Sequence, residues 1–172
     1  AKINIDEIKD KILKDVSFIP KEDRVVVIFE GDEITNQLRT EDIAKLASVY
    51  SAKKEVRKLL FDIQRNFYDE KGLIADGRDM GTVVFRDAKL KIFLTASTEI
   101  RAKRRYLELQ NRGQEVNMPA LIADIEERDL KDSSRELSPL LPADEAHIID
   151  SSDMSLEEVF SITENLVKKE FI

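Results

Sequence analysis

Gly72-Leu-Ile-Ala-Asp76, running directly into Gly77-Arg-Asp-Met-Gly81, and then Ala88-Lys-Leu-Lys-Ile-Phe-Leu94, decide the fold of this chain. Both apolar runs are short and uninterrupted, the pattern of strands buried on both faces of a parallel sheet, and helical segments follow each at a distance. Ala146-His-Ile-Ile-Asp150 reads as a further strand of the same kind. After Thr98 a strongly charged helix is expected to about Arg112, then Gly113, then a second helix from about Pro119 to Arg128. Residues 129–142 carry Asp, Ser, Arg and Pro in no clear period and read as irregular. Ser155-x-x-Glu158 makes a capping box for a last amphipathic helix that carries Val159, Phe160, Ile162, Leu166 and Val167. The fold class is therefore α/β, a parallel sheet with flanking helices.

Upstream of those runs the periodicity changes. Residues 5–16 read as a short polar helix that breaks at Pro20. Arg24 to Glu30 is β-branched and ends at Gly31-Asp-Glu33, which predicts an antiparallel hairpin with a second short strand near Ile34. From Thr40 to Tyr68 the apolar residues Ile43, Leu46, Ala47, Val56, Leu59, Leu60, Ile63 and Phe67 recur at helical spacing, with a break near Tyr50-Ser51, giving two helices. No internal repeat, low-complexity tract or linker interrupts the chain, so one domain with inserted flaps is expected.

Composition narrows the chemistry. With 172 residues and 42% hydrophobic side chains a core is attainable without staples. The absence of cysteine excludes disulfides and thiol chemistry within the chain, and the single histidine leaves multi-histidine metal sites and a Ser-His-Asp triad without their parts. His147, beside Ile148 and Ile149, reads as structural or partly exposed. A net charge of −7 argues against general nucleic-acid affinity, because a phosphate-backbone binder carries a basic face. No stretch approaches the roughly 18 apolar residues of a membrane span, and the N-terminus lacks the apolar core of a signal peptide, so a soluble, cytoplasmic protein is expected.

Carboxylates and guanidiniums remain as the reactive vocabulary. Asp76-Gly-Arg-Asp-Met-Gly81 follows a strand, where open α/β sheets collect ligands. A guanidinium fits phosphate oxygens, and a carboxylate accepts from the exocyclic amine of cytosine, so Arg78 and Asp79 are suited to opposite ends of a nucleotide. The same string equally reads as a tight turn whose Arg and Asp residues only pair and cap. Arg128, Asp132 and Arg135 lie one helical turn apart; two arginines there would neutralise a transferring phosphoryl group while Asp132 holds one in place. A solvated helix laced with ion pairs would show the same spacing. Arg101, Lys103, Arg104 and Arg105 crowd the first turns of a helix, where the dipole disfavours cations unless an anion is near.

Three strings together resemble the bacterial cytidylate kinases: GLIADGRDMGTVVF at 72–85, DAKLKIFLTAS at 87–97 and IEERDLKDSSRELSPLLPA at 125–143. The likeness continues through 38–67, and the strand pair near 24–36 is similar to that family's insert in the nucleotide-binding flap. The resemblance implies a P-loop nucleoside monophosphate kinase fold, with a flap over about residues 1–70, a core over 71–172 and a lid near 113–142. It implies that Ser48, Arg57 and Asp79 surround cytosine, that Arg78 and Arg135 hold the CMP phosphate, and that Asp132 contacts the ribose. Arg128 falls in the closing lid near the transferred group, Arg104 on the ATP side, and Asp76 supports the site at a strand end. The implied reaction takes the ATP γ-phosphoryl to CMP or dCMP, with Mg²⁺ accompanying ATP and no metal site built by the protein. A monomer is the expected state.

Two departures accompany this likeness. The family pattern opens with a strand and a Gly-rich phosphate loop, and no such string occurs among these residues, which hold five glycines in all. The expectation is a chain without that P-loop strand and helix, either a kinase or a CMP-binding remnant that does not turn over. Arg86 stands where the family usually has proline.

Overall fold

Glu30 and Gly31 both have positive φ, 52° and 91°, the requirement of the tight two-residue turn whose twist matches that of the strands it joins. That turn connects β2, Val25–Phe29, to β3, Asp32–Glu33, with Phe29 opposite Asp32. The predicted hairpin is present, with its second strand slightly earlier than expected: Asp32–Glu33 is strand and not turn. The computed structural model describes residues 5–22 and 24–172, and the chain folds as two compact units that divide after Ile74.

In the N-terminal unit α1, Ile5–Asp15, leads into a strand that ends at Pro20, where the sequence predicts only a break after the helix. This β1, Val16–Pro20, pairs antiparallel with β2 from Val16 opposite Phe29 to Pro20 opposite Val25. Pro20 closes the strand at the sheet edge, where its missing N–H costs no ladder bond. Thr35, buried, accepts from the Val27 N–H at 2.9 Å and ties the chain after β3 back to β2. Two helices follow, α2, Glu41–Ser51, and α3, Lys54–Arg65, divided at Ala52-Lys53, slightly beyond the predicted break. The Thr40 hydroxyl caps α2 by accepting from Ile43 N–H at 3.4 Å. α3 buries Leu59 and Ile63, while Phe18 of β1 meets Phe67 edge to face with ring centroids 5.4 Å apart.

The C-terminal unit is α/β. Its sheet consists of β4, Ile92–Thr95, and β5, His147–Asp150, paired parallel with Ile92 opposite His147 and Thr95 opposite Asp150. Between them in sequence stand α4, Thr98–Asn111, and α5, Met118–Ser134, which pack on one another. Ala102, Leu109, Leu121 and Ile149 are buried, with Ala102 fully inaccessible. The final helix α6, Leu156–Phe171, opens on the predicted capping box: Glu158 N–H donates to the Ser155 hydroxyl at 3.2 Å, and Ser155 N–H donates to the Glu158 carboxylate at 2.7 Å.

Two expectations for this unit fail. Gly72–Asp76 is not a strand; it runs without ladder bonds and leaves Ile74 97% exposed. An apolar run becomes a parallel strand only where a neighbour offers its edge, and no described strand pairs with this one. Asp76 consequently sits on irregular chain and not at the end of a sheet strand. The stretch 129–142 is not irregular throughout, because α5 continues to Ser134. Lys131 reaches Glu127 one turn back along that extension, and Asp129 is held by Arg101 of α4, contacts that sustain a helix whose own period is weak.

Candidate functional site

Asp132, near the C-terminus of α5, is the most buried carboxylate of the described chain, its side chain only 5% exposed. A buried carboxylate demands partners, and three guanidiniums supply them. Arg78 donates through Nε to Oδ2, Arg135 donates through Nη1 to Oδ1 at 3.4 Å, and Arg128 Nε lies 4.0 Å from Oδ2. The helix extension makes this geometry possible. It sets Arg128 and Asp132 four residues apart on one helix, while Arg135, at the cap with extended backbone, turns back across the helix end. Arg135 Nε donates to Ser138 O at 2.6 Å and Leu140 N–H donates to Asp132 O at 2.8 Å, so the segment after α5 folds back over its last turn.

The other side of the cluster comes from the glycine-flanked loop. Residues Met80–Val84 form a single wide helical turn: Val84 N–H donates to Asp79 O at 3.2 Å and Phe85 N–H to Met80 O at 2.7 Å, both five residues back. Such π turns are uncommon and concentrate at functional positions, because the bulge redirects the residues before it. Asp79, the N-terminal residue of this turn, is buried, with 8% exposure, while Arg78 beside it turns outward enough to reach Asp132. The reading of 76–81 as a self-contained capped turn therefore does not describe Arg78, whose partner is 54 residues distant in sequence. Asp76 is exposed at the start of the loop.

Of the predicted site residues, Arg78, Arg128, Asp132 and Arg135 meet around one point, and Asp79 adjoins Arg78. Arg104 does not join them. It donates from Nη1 to the Ser151 hydroxyl at 3.0 Å and from Nη2 to Ser151 O at 2.6 Å and Met154 O at 3.4 Å, bracing α4 against the turn after β5. Ser151 itself is buried and donates to Thr95 O at 3.0 Å, at the carboxyl ends of both strands. Ser48 and Arg57 belong to the N-terminal unit and are joined through one residue: the Ser51 hydroxyl donates to Ser48 O at 3.0 Å, and Arg57 Nη1 donates to Ser51 O at 2.9 Å.

The cationic start of α4 is resolved largely by internal partners. Arg101 grips Asp129 through both Nη atoms, at 3.0 and 2.5 Å, and donates from Nε to Ala96 O at 3.0 Å. Arg105 pairs with Glu108 at 2.7 Å. These contacts offset the unfavourable dipole that cations meet there. Sequence reading did not single out Asp129 or Lys91. Lys91 precedes β4 with its side chain 5% exposed, bonded to Arg86 O at 2.6 Å and paired with Glu145. A lysine set inside the apolar run 88–94 was the available signal. His147 is exposed and contributes its backbone N–H to Lys91 O at 2.9 Å.

Three guanidiniums around one carboxylate, beside a second buried carboxylate, form a site suited to a small phosphorylated ligand. A family model described as cytidylate kinase matches residues 2–169. Among curated relatives, a protein named cytidylate kinase from Photorhabdus laumondii is 49% identical over 155 residues, covering 90% of this chain and 68% of the relative. Proteins of the same name from Serratia proteamaculans and Pseudomonas paraeruginosa are 50% and 51% identical, covering 84% of this chain and 63% and 64% of their own lengths. The chain thus spans about two thirds of the length of the relatives it matches. With nearly all of its residues within the family model and half of the aligned residues identical to those of named members, this chain belongs to the cytidylate kinase family.

Proposed function

We propose that the protein transfers the γ-phosphoryl group of ATP to CMP or dCMP, giving ADP and CDP or dCDP. The observation that carries this reading is the convergence of Arg78, Arg128 and Arg135 on Asp132, with Asp79 buried alongside. In the proposal Arg78 and Arg135 hold the CMP phosphate, their donor forks matched to its oxygens. Asp79 accepts from the cytosine amine; uracil would offer a carbonyl to the carboxylate and be rejected. Ser48 and Arg57 are assigned to base recognition from the flap. Asp132 serves the ribose and orients the arginines. Arg128 neutralises charge building on the transferred group, Arg104 lies toward ATP, and Asp76 stands beside the acceptor site. In the proposal residues up to about 70 form a nucleotide-binding flap and residues near 113–142 a lid.

Chemically, an oxygen of the CMP phosphate attacks the γ-phosphorus in line as the bond to the β,γ-bridging oxygen breaks, without a covalent enzyme intermediate. Positioning and electrostatics carry most of the catalysis in such transfers. Mg²⁺ enters with ATP as part of the substrate, since it prefers phosphate oxygens and water to an all-protein cage. Among the described residues no helix is long and apolar enough to cross a membrane. The proposal further takes the protein as a cytoplasmic monomer.

The test is a coupled assay for ADP release with MgATP and, separately, CMP, UMP and AMP, run beside calorimetry with CMP. Turnover selective for CMP is the expected result. CMP heat without turnover would reduce the reading to an acceptor site alone, and the absence of both signals would overturn it.

A further inference from the structure

Resting on the proposed cytosine contact of Asp79, we infer that Lys91 and Arg86 are positioning residues that aim Asp79, and so set the preference for a cytosine over a uracil nucleotide. The two cations close the π turn from behind. Arg86 Nε donates to Thr82 O at 2.5 Å, in the middle of the turn, and Lys91 Nζ donates to Arg86 O at 2.6 Å, at its exit. Inside the turn Val83 N–H and Val84 N–H both donate to Asp79 O, at 2.9 and 3.2 Å. A continuous path of hydrogen bonds and backbone therefore runs from Lys91 to the carbonyl of Asp79.

The far end of that path is fixed. Lys91 O accepts from His147 N–H at 2.9 Å, which anchors the residue to the start of the parallel sheet, and its ammonium also pairs with Glu145. Burying a lysine this deeply is costly unless it is paired and hydrogen-bonded, and the carbonyl of Arg86 and the Glu145 carboxylate supply an acceptor and a counter-charge. The lysine stem also lies under Gly81: a methyl group added there would touch Lys91 Cδ at 3.4 Å and Cγ at 3.5 Å. Lys91 is thus the floor on which the wide turn rests, and the turn can neither tighten nor slide without breaking its bond to Arg86 O. Arg86 is an exposed side chain whose Nε fastens the same turn from the solvent side. The effect of the two cations passes through the backbone of 79–86.

The experiment measures dissociation constants for CMP and UMP by calorimetry on the wild-type chain and on Asp79→Asn, Lys91→Met and Arg86→Ala. The ratio of the two constants is the readout, since a purely structural loss weakens both nucleotides together. Asp79→Asn is expected to abolish the preference. Lys91→Met is expected to lower it about tenfold, because displacing a contact by a fraction of an ångström has effects of that order. Arg86→Ala, at an exposed position that does not threaten folding, is expected to lower it about threefold, the scale of one ordinary hydrogen bond. A preference lost in Asp79→Asn but kept at the wild-type ratio in a folded Lys91→Met or Arg86→Ala variant overturns this inference and leaves the base contact standing. A preference unchanged in Asp79→Asn overturns the base contact and the inference with it.

Discussion

Replacing Asp132 with asparagine separates stability from anion binding, because the substitution keeps the shape of a buried group while removing the charge that three guanidiniums share. Removing one partner of a fully buried ion pair costs about 3–5 kcal/mol. Here the carboxylate is buried but Arg78 and Arg128 have side chains 37% and 42% exposed, so water offsets part of the loss for both. Only Arg135, at 11%, is confined with it. Two charge-assisted hydrogen bonds at roughly 1.5–3 kcal/mol each, discounted for that exposure, give an expected loss of about 2–3 kcal/mol. Urea denaturation followed by circular dichroism measures it. The same vacancy of negative charge makes the cluster hungrier for an anion. Inorganic phosphate at about ten times its dissociation constant should then restore about 1.4 kcal/mol. The same phosphate concentration should stabilise the wild type less, because Asp132 already occupies its arginines. A loss under about 0.5 kcal/mol, or equal phosphate stabilisation of both proteins, would refute the claim that Asp132 organises this cluster.

Arg128→Ala is expected to abolish turnover while CMP affinity measured by calorimetry stays within about threefold, since its assigned partner is the transferring group; retained turnover would remove it from the lid role. Ser155→Ala removes the hydroxyl half of the capping box of α6, leaving the Ser155 N–H bond to Glu158, and should cost about 1 kcal/mol by chemical denaturation, with Ser155→Gly costing less. Glu145 supplies a pH test. Its hydrogen bond from Lys91 holds its carboxyl below the ordinary value of 4.5, so the pair's contribution is present above that value and is lost as pH falls through the lowered one. Glu145→Gln should therefore narrow the gap in denaturation midpoint to wild type as the medium is acidified below about pH 4.5, and a gap that widens on acidification would contradict the pairing.

The elements legible in the sequence are those fixed by neighbours close along the chain. The Ser155 and Glu158 box, the hairpin at Glu30-Gly31 and the two helices of 41–65 are settled by contacts within a few residues, and each appears close to its predicted place. What escaped depends on distant partners. Gly72–Asp76 has the composition of a strand, yet strand formation is a property of a pair of edges. Val16–Pro20 reads as a helix end and a proline, and becomes a strand because β2 is there to receive it. The extension of α5 beyond Arg128 relies on Arg101, 28 residues away, holding Asp129. The site shows the same division. Residue type and glycine spacing pointed to Arg78, Asp79 and the 128–135 run. That Asp132 is the meeting point, that Arg104 braces the turn after β5, and that Lys91 underlies Gly81 are facts of packing which no local pattern states.

Charge explains why such a site can work in a chain of net charge −7. Three guanidiniums against one carboxylate leave the Arg78, Arg128 and Arg135 cluster with a local formal charge of +2. A nucleoside monophosphate carries about −1.5 to −2 on its phosphate at neutral pH, so one such group neutralises the cluster. A nucleic-acid strand brings one charge for each phosphate along its length, and beyond the first it meets an acidic protein. On the proposed reading, the net negative charge of the chain and the cationic cluster together would favour a single phosphate over a polymer. Asp132 sets the balance: without it the cluster would hold a third uncompensated charge. Because the cluster is partly exposed, its hold on phosphate should weaken with ionic strength, and CMP affinity should fall as salt rises from about 0.05 to 0.5 M. An affinity independent of salt over that range would mean that the base and ribose contacts, and not these arginines, carry the binding.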